Sequence, residues 1–374
     1  MNKNKDLYIR LSFVADILLI VFLILTGTSW FLSIVVVEAV MWLIRLYWIS
    51  RVLLLFIGKR LLHMIPIILS VVAIGFFLIQ LAPGDIFTQM TLNPNVNPDT
   101  IDRYRATFGL DKAWYVQFFR YVWNALHLDF GYSINYKTAV FNLVSQRAGN
   151  TLTLAITTII LAWGLSIPAG IYSATHQYRI GDQIITVLAF LGLALPSFFA
   201  AFLLIYFVSS TGSWLPIGGM WSVDVDQMNI FQKGIDLLRH MAIPVFVLAT
   251  RNMASLTRIM RANMLEIMSQ QYITTARAKG LTEKTVVYKH ALRNAINPMI
   301  TIFGYQFGYI LGGSALVEAV TAWPGLGSLM LQGIMSQDLY LVVGSLVYSV
   351  ALLVIGNLIA DILLGVVDPR VRIS

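Results

Sequence analysis

Apolar stretches long enough to cross a lipid bilayer recur from one end of this 374-residue chain to the other. No other feature narrows the fold as much. A hydrocarbon layer about 30 Å thick is crossed by about 20 apolar residues in a helix. Inside it every backbone N–H and C=O needs an internal partner, so an open sheet edge is excluded and helices remain. The clearest stretches are 61–81, 152–174, 184–208, 243–260, 299–320 and 339–366, and the last is long enough to tilt or to run past the membrane. Composition agrees, with 58% hydrophobic and 12% charged residues, about half the charge of a soluble domain. The first apolar run lacks a small-residue cleavage site and is not read as a removable signal peptide. The expectation is an all-α, multi-pass integral membrane protein.

Charge orients the spans. Lys59 and Arg60 precede the first, and Arg179 lies between the second and third. Lys279, Lys284, Lys289 and Arg293 lie between the fourth and fifth, and Arg370 and Arg372 follow the sixth. If six spans alternate, all these residues share one side, which the positive-inside rule makes cytoplasmic. The 321–338 link has no Lys or Arg and fits the outside. The net charge of +8 is absorbed by this pattern; no basic run is dense enough for a nucleic-acid patch, and no nucleic-acid partner is expected.

Residues 84–150 also fall outside and carry Tyr104, Phe108, Trp114, Tyr115, Phe118, Phe119, Tyr121 and Trp123. Such aromatic density suggests a small ordered cap of short helices, packed on the membrane face or on a partner. The chain has no cysteine, which excludes disulfides, thiolate metal sites and cysteine nucleophiles. His63, His127, His176, His240 and His290 are scattered without metal-ligand spacing, so no metal site is expected. No catalytic motif is recognised either.

Residues 1–57 read as an N-terminal hydrophobic extension. Runs 8–26 and 31–50 flank Gly27-Thr28-Ser29, a turn signal, and would form a helical hairpin. That arrangement puts Asp16, Glu38 and Arg45 at lipid depth, where they must pair. The alternative is one span followed by an interfacial helix with Trp42, Arg45, Tyr47, Trp48 and Arg51.

The most informative stretch is 272–298, YITTARAKGLTEKTVVYKHALRNAINP. It is too polar to cross a membrane, yet a helix-compatible run ends at Gly280 and a second run follows. Glycine tolerates the left-handed conformation that stops one helix and starts another. The physics gives a helix–turn–helix hung between two spans, or, more blandly, a solvated amphipathic loop.

The stretch resembles the coupling loop of ABC importer permeases of the dipeptide/oligopeptide/nickel family. Tyr272, Thr275, Ala276, Arg277, Ala278, Lys279, Gly280 and Leu281 stand in the family's order, followed by His290, Ala291, Leu292, Arg293, Asn294, Ala295 and Pro298. Thr274 stands near the place of a glutamate that the wider importer group has. The resemblance covers roughly 58–372. It includes Leu81-Ala82-Pro83-Gly84-Asp85, Phe108-Gly109-Leu110-Asp111, Asp129-Phe130-Gly131, Glu318-Ala319-Val320, Trp323-Pro324-Gly325 and Asp368-Pro369-Arg370. It implies a six-helix importer core over 58–374, with an extracytoplasmic segment 84–150 and a cytoplasmic coupling loop 262–297. It further implies a second homologous permease subunit, two ATP-binding subunits, an extracytoplasmic substrate-binding protein, and a place in the bacterial cytoplasmic (inner) membrane. This chain has no phosphate-binding Gly-x-x-x-x-Gly-Lys-Ser/Thr loop. ATP and Mg are therefore expected on the partner subunits, with no cofactor here.

Arg251 falls inside the fourth span, about 10 Å deeper than Arg258 at helical rise. Two readings stand: a pore-facing group that meets a substrate carboxylate, or a partner for an acid on a neighbouring span. Arg258 and Arg261 match the family's Arg-x-x-Arg and belong at the cytoplasmic end. Glu318, Trp323, Pro324 and Gly325 are read as an extracytoplasmic gate loop, with Glu318 as its anchor and Asp361 near the opposite end. Gly164, Pro168 and Pro196 are expected helix breaks. Two other functions remain from the sequence: an ion-coupled secondary carrier, against which the absence of matched internal repeats argues, and a non-transporting scaffold.

Overall fold

The computed structural model describes residues 51–81, 87–88, 97–212, 214–300, 302–303, 306 and 314–367. The expected N-terminal hairpin or single span, the Ala82-Pro83-Gly84-Asp85 motif, the Asp361 side chain and the terminal Asp368-Pro369-Arg370 lie outside what is described. The chain divides into two compact units, Met1–Pro66 and Ile67–Ser374, and the second holds the helix bundle.

Helix α1 (Arg51–Leu81) carries the first apolar stretch. The outer segment then forms α2 (Pro98–Phe108) and α3 (Trp114–Leu126). Asn97 caps α2 by accepting from the Asp99 N–H, and Gly109, at φ 71°, closes it in the left-handed conformation. A two-residue antiparallel ribbon follows, β1 (Tyr132–Ser133) against β2 (Thr138–Ala139), with Tyr132 opposite Ala139.

Two long helices form the axis of the bundle: α4 (Val140–Thr175) and α7 (Ile230–Met268), 36 and 39 residues. They pack closely because Gly170 has no side chain. A Cβ there would lie 2.6 Å from Cβ of Met260. The breaks expected at Gly164 and Pro168 do not occur, since α4 runs through both. Proline removes one backbone N–H there, and a helix packed along α7 absorbs that loss.

Pro196 does break the chain. The ring forces Leu195 into extended backbone, at φ −86° and ψ 128°. The expected span 184–208, with its break at Pro196, is thus two helices, α5 (Ile180–Ala194) and α6 (Ser197–Ser210), bent by 106°.

After α7 come α8 (Gln271–Ala278), α9 (Glu283–Thr285), a π-helical turn (Val286–Ala291) and α10 (Leu292–Ala295). The chain closes with α11 (Ala315–Val320), α12 (Leu326–Met335) and α13 (Leu339–Val367). Among the described residues, α4 and the 339–359 part of α13 are long and apolar enough to cross a membrane, and the bent α5–α6 pair makes a third candidate. The fourth expected span lies within α7, where Arg251, Arg258 and Arg261 lower the apolar average. Only part of the fifth is described, ending in α11.

Among the described residues, three large buried clusters and a small one around Ala155 and Ile159 hold the bundle. One, at the α4–α7 end nearest α8, joins Ile171, Met260 and Met264 to Ile273, Ala276, Val286 and Ala291. The second, at the opposite end, joins Phe76 and Tyr121 to Val140, Val144, Leu326 and Leu339. The third packs Leu154, Ala201, Leu237 and Met241 against Val317 and Trp323.

Candidate functional site

The polar loop after α7 is built on a two-sided short helix. α8 starts where Gln270 adopts extended backbone and ends where Gly280 turns left-handed at φ 76°. The Gly280 N–H donates to the Arg277 carbonyl at 2.9 Å and the Leu281 N–H to the Ala276 carbonyl at 3.4 Å. This pair of bonds is the Schellman pattern, which satisfies the last carbonyls of the helix. Thr282 caps α9 by accepting from the Thr285 N–H, and the chain returns through the π-helical turn that holds half-buried His290. Such turns are rare and concentrate at functional positions.

Spacing decides which face of α8 is inside. Ile273 and Ala276, three apart, are buried in the cluster with Met260 and Met264. Burying an isoleucine side chain contributes about 1.5–3 kcal/mol. Tyr272, Thr275, Arg277, Ala278, Lys279, Gly280 and Leu281 are exposed. The structure thus gathers most of the expected loop residues on one accessible surface but takes Ala276 out of it.

Polar bonds fix the loop's shape. The Arg277 guanidinium donates to both Glu283 carboxylate oxygens, at 2.7 and 3.2 Å, across the Gly280 turn. The bond to Glu283 raises Arg277 above its usual range, and the same contact lowers Glu283. Both side chains are well exposed, so the pair is worth at most about 1 kcal/mol. Asn294 Nδ2 donates to the Tyr272 hydroxyl at 2.9 Å, joining the two arms. Asn263 of α7 donates to the Ala295 carbonyl at 3.1 Å, tying the returning arm to the long helix.

About three turns before α8, Arg261 of α7 reaches Asp182 at the start of α5, with bonds of 3.2 and 3.1 Å. Asp182 also accepts from the Ser173 hydroxyl of α4 and, at 2.9 Å, from the Tyr178 N–H. These bonds satisfy both oxygens of the buried carboxylate. Three helix ends therefore meet on one carboxylate. Sequence reading missed this junction, because nothing local marks a partner 79 residues away. Arg261 is bound here rather than merely snorkelling.

Arg251 lies on the wall of a cavity of about 630 Å³ that is otherwise mostly apolar, lined by Leu161, Leu188, Gly192, Phe246 and Thr250 among others. Arg258 sits over the Phe190 ring at 5.7 Å.

At the far end, Glu318 is fully buried. One of its oxygens accepts from the hydroxyls of Thr151, at 2.9 Å, and Ser314, at 3.0 Å. The other accepts from the Ser328 N–H at 3.0 Å. Gly325 lies so close that a Cβ would stand 2.4 Å from the carboxylate. Trp323 is buried, with its indole N–H donating to the Asn150 carbonyl at 3.2 Å, and Asn150 donates back to the Pro324 carbonyl at 2.7 Å. The Trp323-Pro324-Gly325 turn is thus stapled to α4. Asn150 and Thr151 were not legible as partners, being two ordinary polar residues at the edge of an apolar run. Among the described residues no cluster of three or more metal-ligating side chains occurs.

The sequence matches the family described as binding-protein-dependent transport system inner membrane component over residues 166–373, and its N-terminal counterpart over 53–155. The chain belongs to this family. The oligopeptide transport system permease protein AppB of Bacillus subtilis is 42% identical over 318 residues, which span 85% of this chain and 99% of that protein. A putative peptide permease protein of Brucella ovis is 36% identical over 318 residues, 84% of this chain and 98% of its own. The dipeptide transport system permease protein DppB of Escherichia coli is 33% identical over 333 residues, 85% and 98% respectively. The chain is accordingly a helical inner-membrane permease of the ABC transport class, similar to peptide permeases.

Proposed function

We propose that this permease forms half of the translocation pore of an ATP-driven bacterial importer with six core spans, and that its 271–295 loop receives the movement of the ATPases. The observation that carries the reading is the two-sided α8. Its exposed face offers Tyr272, Arg277, Ala278 and Lys279 to a partner, while Ile273 and Ala276 are embedded in the core of the bundle. A push on the outer face has no slack to absorb it, because close-packed interiors are stiff. It passes through Met260 and Met264 and the Asn263–Ala295 bond into α7. From there the Arg261–Asp182 junction carries it to α4 and α5.

The partners in this reading are a second homologous permease, two ATP-binding subunits that hold ATP and Mg, and an extracytoplasmic binding protein. The names of the relatives support peptides or related small solutes as cargo. Arg251, on the cavity wall, is assigned to contact with the cargo path. The Trp323–Gly325 turn, tied to Asn150 of α4, serves as an element of the outer gate that moves with that helix.

Reconstitution tests the proposal. The chain alone in proteoliposomes is expected to show neither ATP hydrolysis nor uptake. With the three kinds of partner, peptide uptake should require both ATP and loaded binding protein. Ion-gradient-driven uptake by the chain alone would overturn the reading in favour of a secondary carrier.

A further inference from the structure

Helix α3 is apolar on two sides, and the bundle uses only one of them. Its buried side packs Phe118 and Tyr121 on Phe76 near the end of α1, at ring distances of 6.0 and 5.3 Å. Tyr121 also stacks at 6.3 Å on Tyr340, the second residue of α13. The helix therefore lies across the ends of two apolar helices, at the end of the bundle opposite the 271–295 loop.

The other side carries Tyr115, Phe119, Trp123 and Leu126, spaced by four, four and three residues, so they form one stripe. Phe119, Trp123 and Leu126 are 67%, 66% and 73% exposed. At about 100° per residue, these four with Val116 fill an arc of about 100°, and Arg120 and His127 border it. At the N-terminal end of α3 the stripe is joined to α1 through Trp114, whose ring also meets that of Tyr115 at 6.1 Å. Trp114 meets the Phe77 ring at 6.3 Å, and Phe77, Leu78 and Leu81 of α1 are themselves exposed. Phe77 and Leu78 end the apolar run Leu62–Leu78 of an inner-membrane permease and Leu81 lies one turn beyond, so they stand where hydrocarbon gives way to headgroups.

Tryptophan, tyrosine and phenylalanine beside a cation at that depth form the interfacial pattern of membrane proteins. A surface shaped for a soluble partner would instead be rimmed on all sides by polar groups; here Arg120 and His127 lie on one edge of the arc, while Val122 lies on the other and Trp114 joins it to the exposed end of α1.

We propose that α3 is an interfacial helix lying in the plane of the bilayer. Its Tyr115–Phe119–Trp123–Leu126 stripe is sunk among the lipid acyl chains, and Arg120 and His127 stand at the water edge. The helix thereby fixes the depth of the outer segment, so that the 98–139 region sits on the lipid and does not project as a free cap.

The absence of cysteine permits a direct test in the full assembled complex, in nanodiscs of phosphatidylethanolamine and phosphatidylglycerol. Single variants Phe119→Cys, Trp123→Cys and Arg120→Cys are labelled with an environment-sensitive fluorophore. Each is then quenched by phospholipids brominated near the carbonyl end of the acyl chain, and separately by aqueous iodide. The expected result is that positions 119 and 123 lose most of their emission to brominated lipid and little to iodide, with the reverse at 120. Equal iodide quenching at 119 and 120 would overturn the proposal in favour of a soluble cap. Insensitivity of 119 and 123 to both quenchers would overturn it in favour of a protein occupant. Binding-protein-dependent ATPase activity of each labelled variant verifies that the complex is intact.

Discussion

Replacing Gly280 isolates one physical quantity, the conformational freedom of a single residue. Its φ of 76° lies in the left-handed region, and nothing stands within 4 Å of the position a Cβ would take. Substitution therefore adds no clash within this chain, and the cost is that of the backbone angle alone. An L-residue in that region costs about 1–2 kcal/mol, and asparagine least among the non-glycine choices. A β-branched side chain goes beyond that range. About 1.4 kcal/mol is a tenfold shift in a two-state equilibrium, so Gly280→Ala should depopulate the closed turn by about tenfold and Gly280→Val by more. Gly280→Asn should retain most of it. The assay is peptide uptake and ATPase stimulation by loaded binding protein, for the complete complex in proteoliposomes, with assembly monitored by co-purification. The expected order of coupling is Gly, Asn, Ala, Val, at unchanged assembly. Wild-type coupling in Gly280→Val would refute the role of the turn. If Asn, Ala and Val are equally damaging, the backbone angle is not the cause, and contact of the new side chain with a partner is.

Three other outcomes follow from the same geometry. Asp182→Asn breaks the junction of α4, α5 and α7 and should cost about 3 kcal/mol, the low end for a buried pair because Arg261 keeps 30% of its surface exposed. A lowered melting temperature of the detergent-extracted variant against wild type checks this. Ala276→Asp places a charge in the cluster with Met260 and Met264 and should cost about 3 kcal/mol or more, seen as reduced yield of the detergent-extracted chain even without partners. Gly325→Ala forces a methyl against the Glu318 carboxylate and should cost about 1–3 kcal/mol by overpacking, with Glu318→Asp in the same chain recovering part of the loss in thermal melts.

Much of the bundle was legible because its determinants are local. Apolar length marks α4 and α13, Pro196 marks the bend, and Gly280 marks the turn between α8 and α9. Even there, the sharpness of the bend was not readable, since proline fixes the residue before it but not the packing that follows. The orientation of Ala276 was hidden for a different reason. An eight-residue helix of mixed small and polar residues has no apolar stripe to point with, and the face is chosen by Met260 and Met264 on α7. The Asp182–Arg261 and Asn150–Pro324 contacts join residues 79 and 174 apart. Such pairings come from tertiary packing and leave no periodic trace.

The close contact of Gly170 with Met260 also has a mechanical meaning. At 1.5 Å per residue, α4 extends about 7.5 Å from Gly170 to Thr175 and about 45 Å back to Val140. A stiff rod gripped at that point is a lever with arms of about one to six. Rotation there would move Asn150, about 30 Å from the grip, about four times as far as the Thr175 end, and the Trp323 turn stapled to Asn150 would move with it.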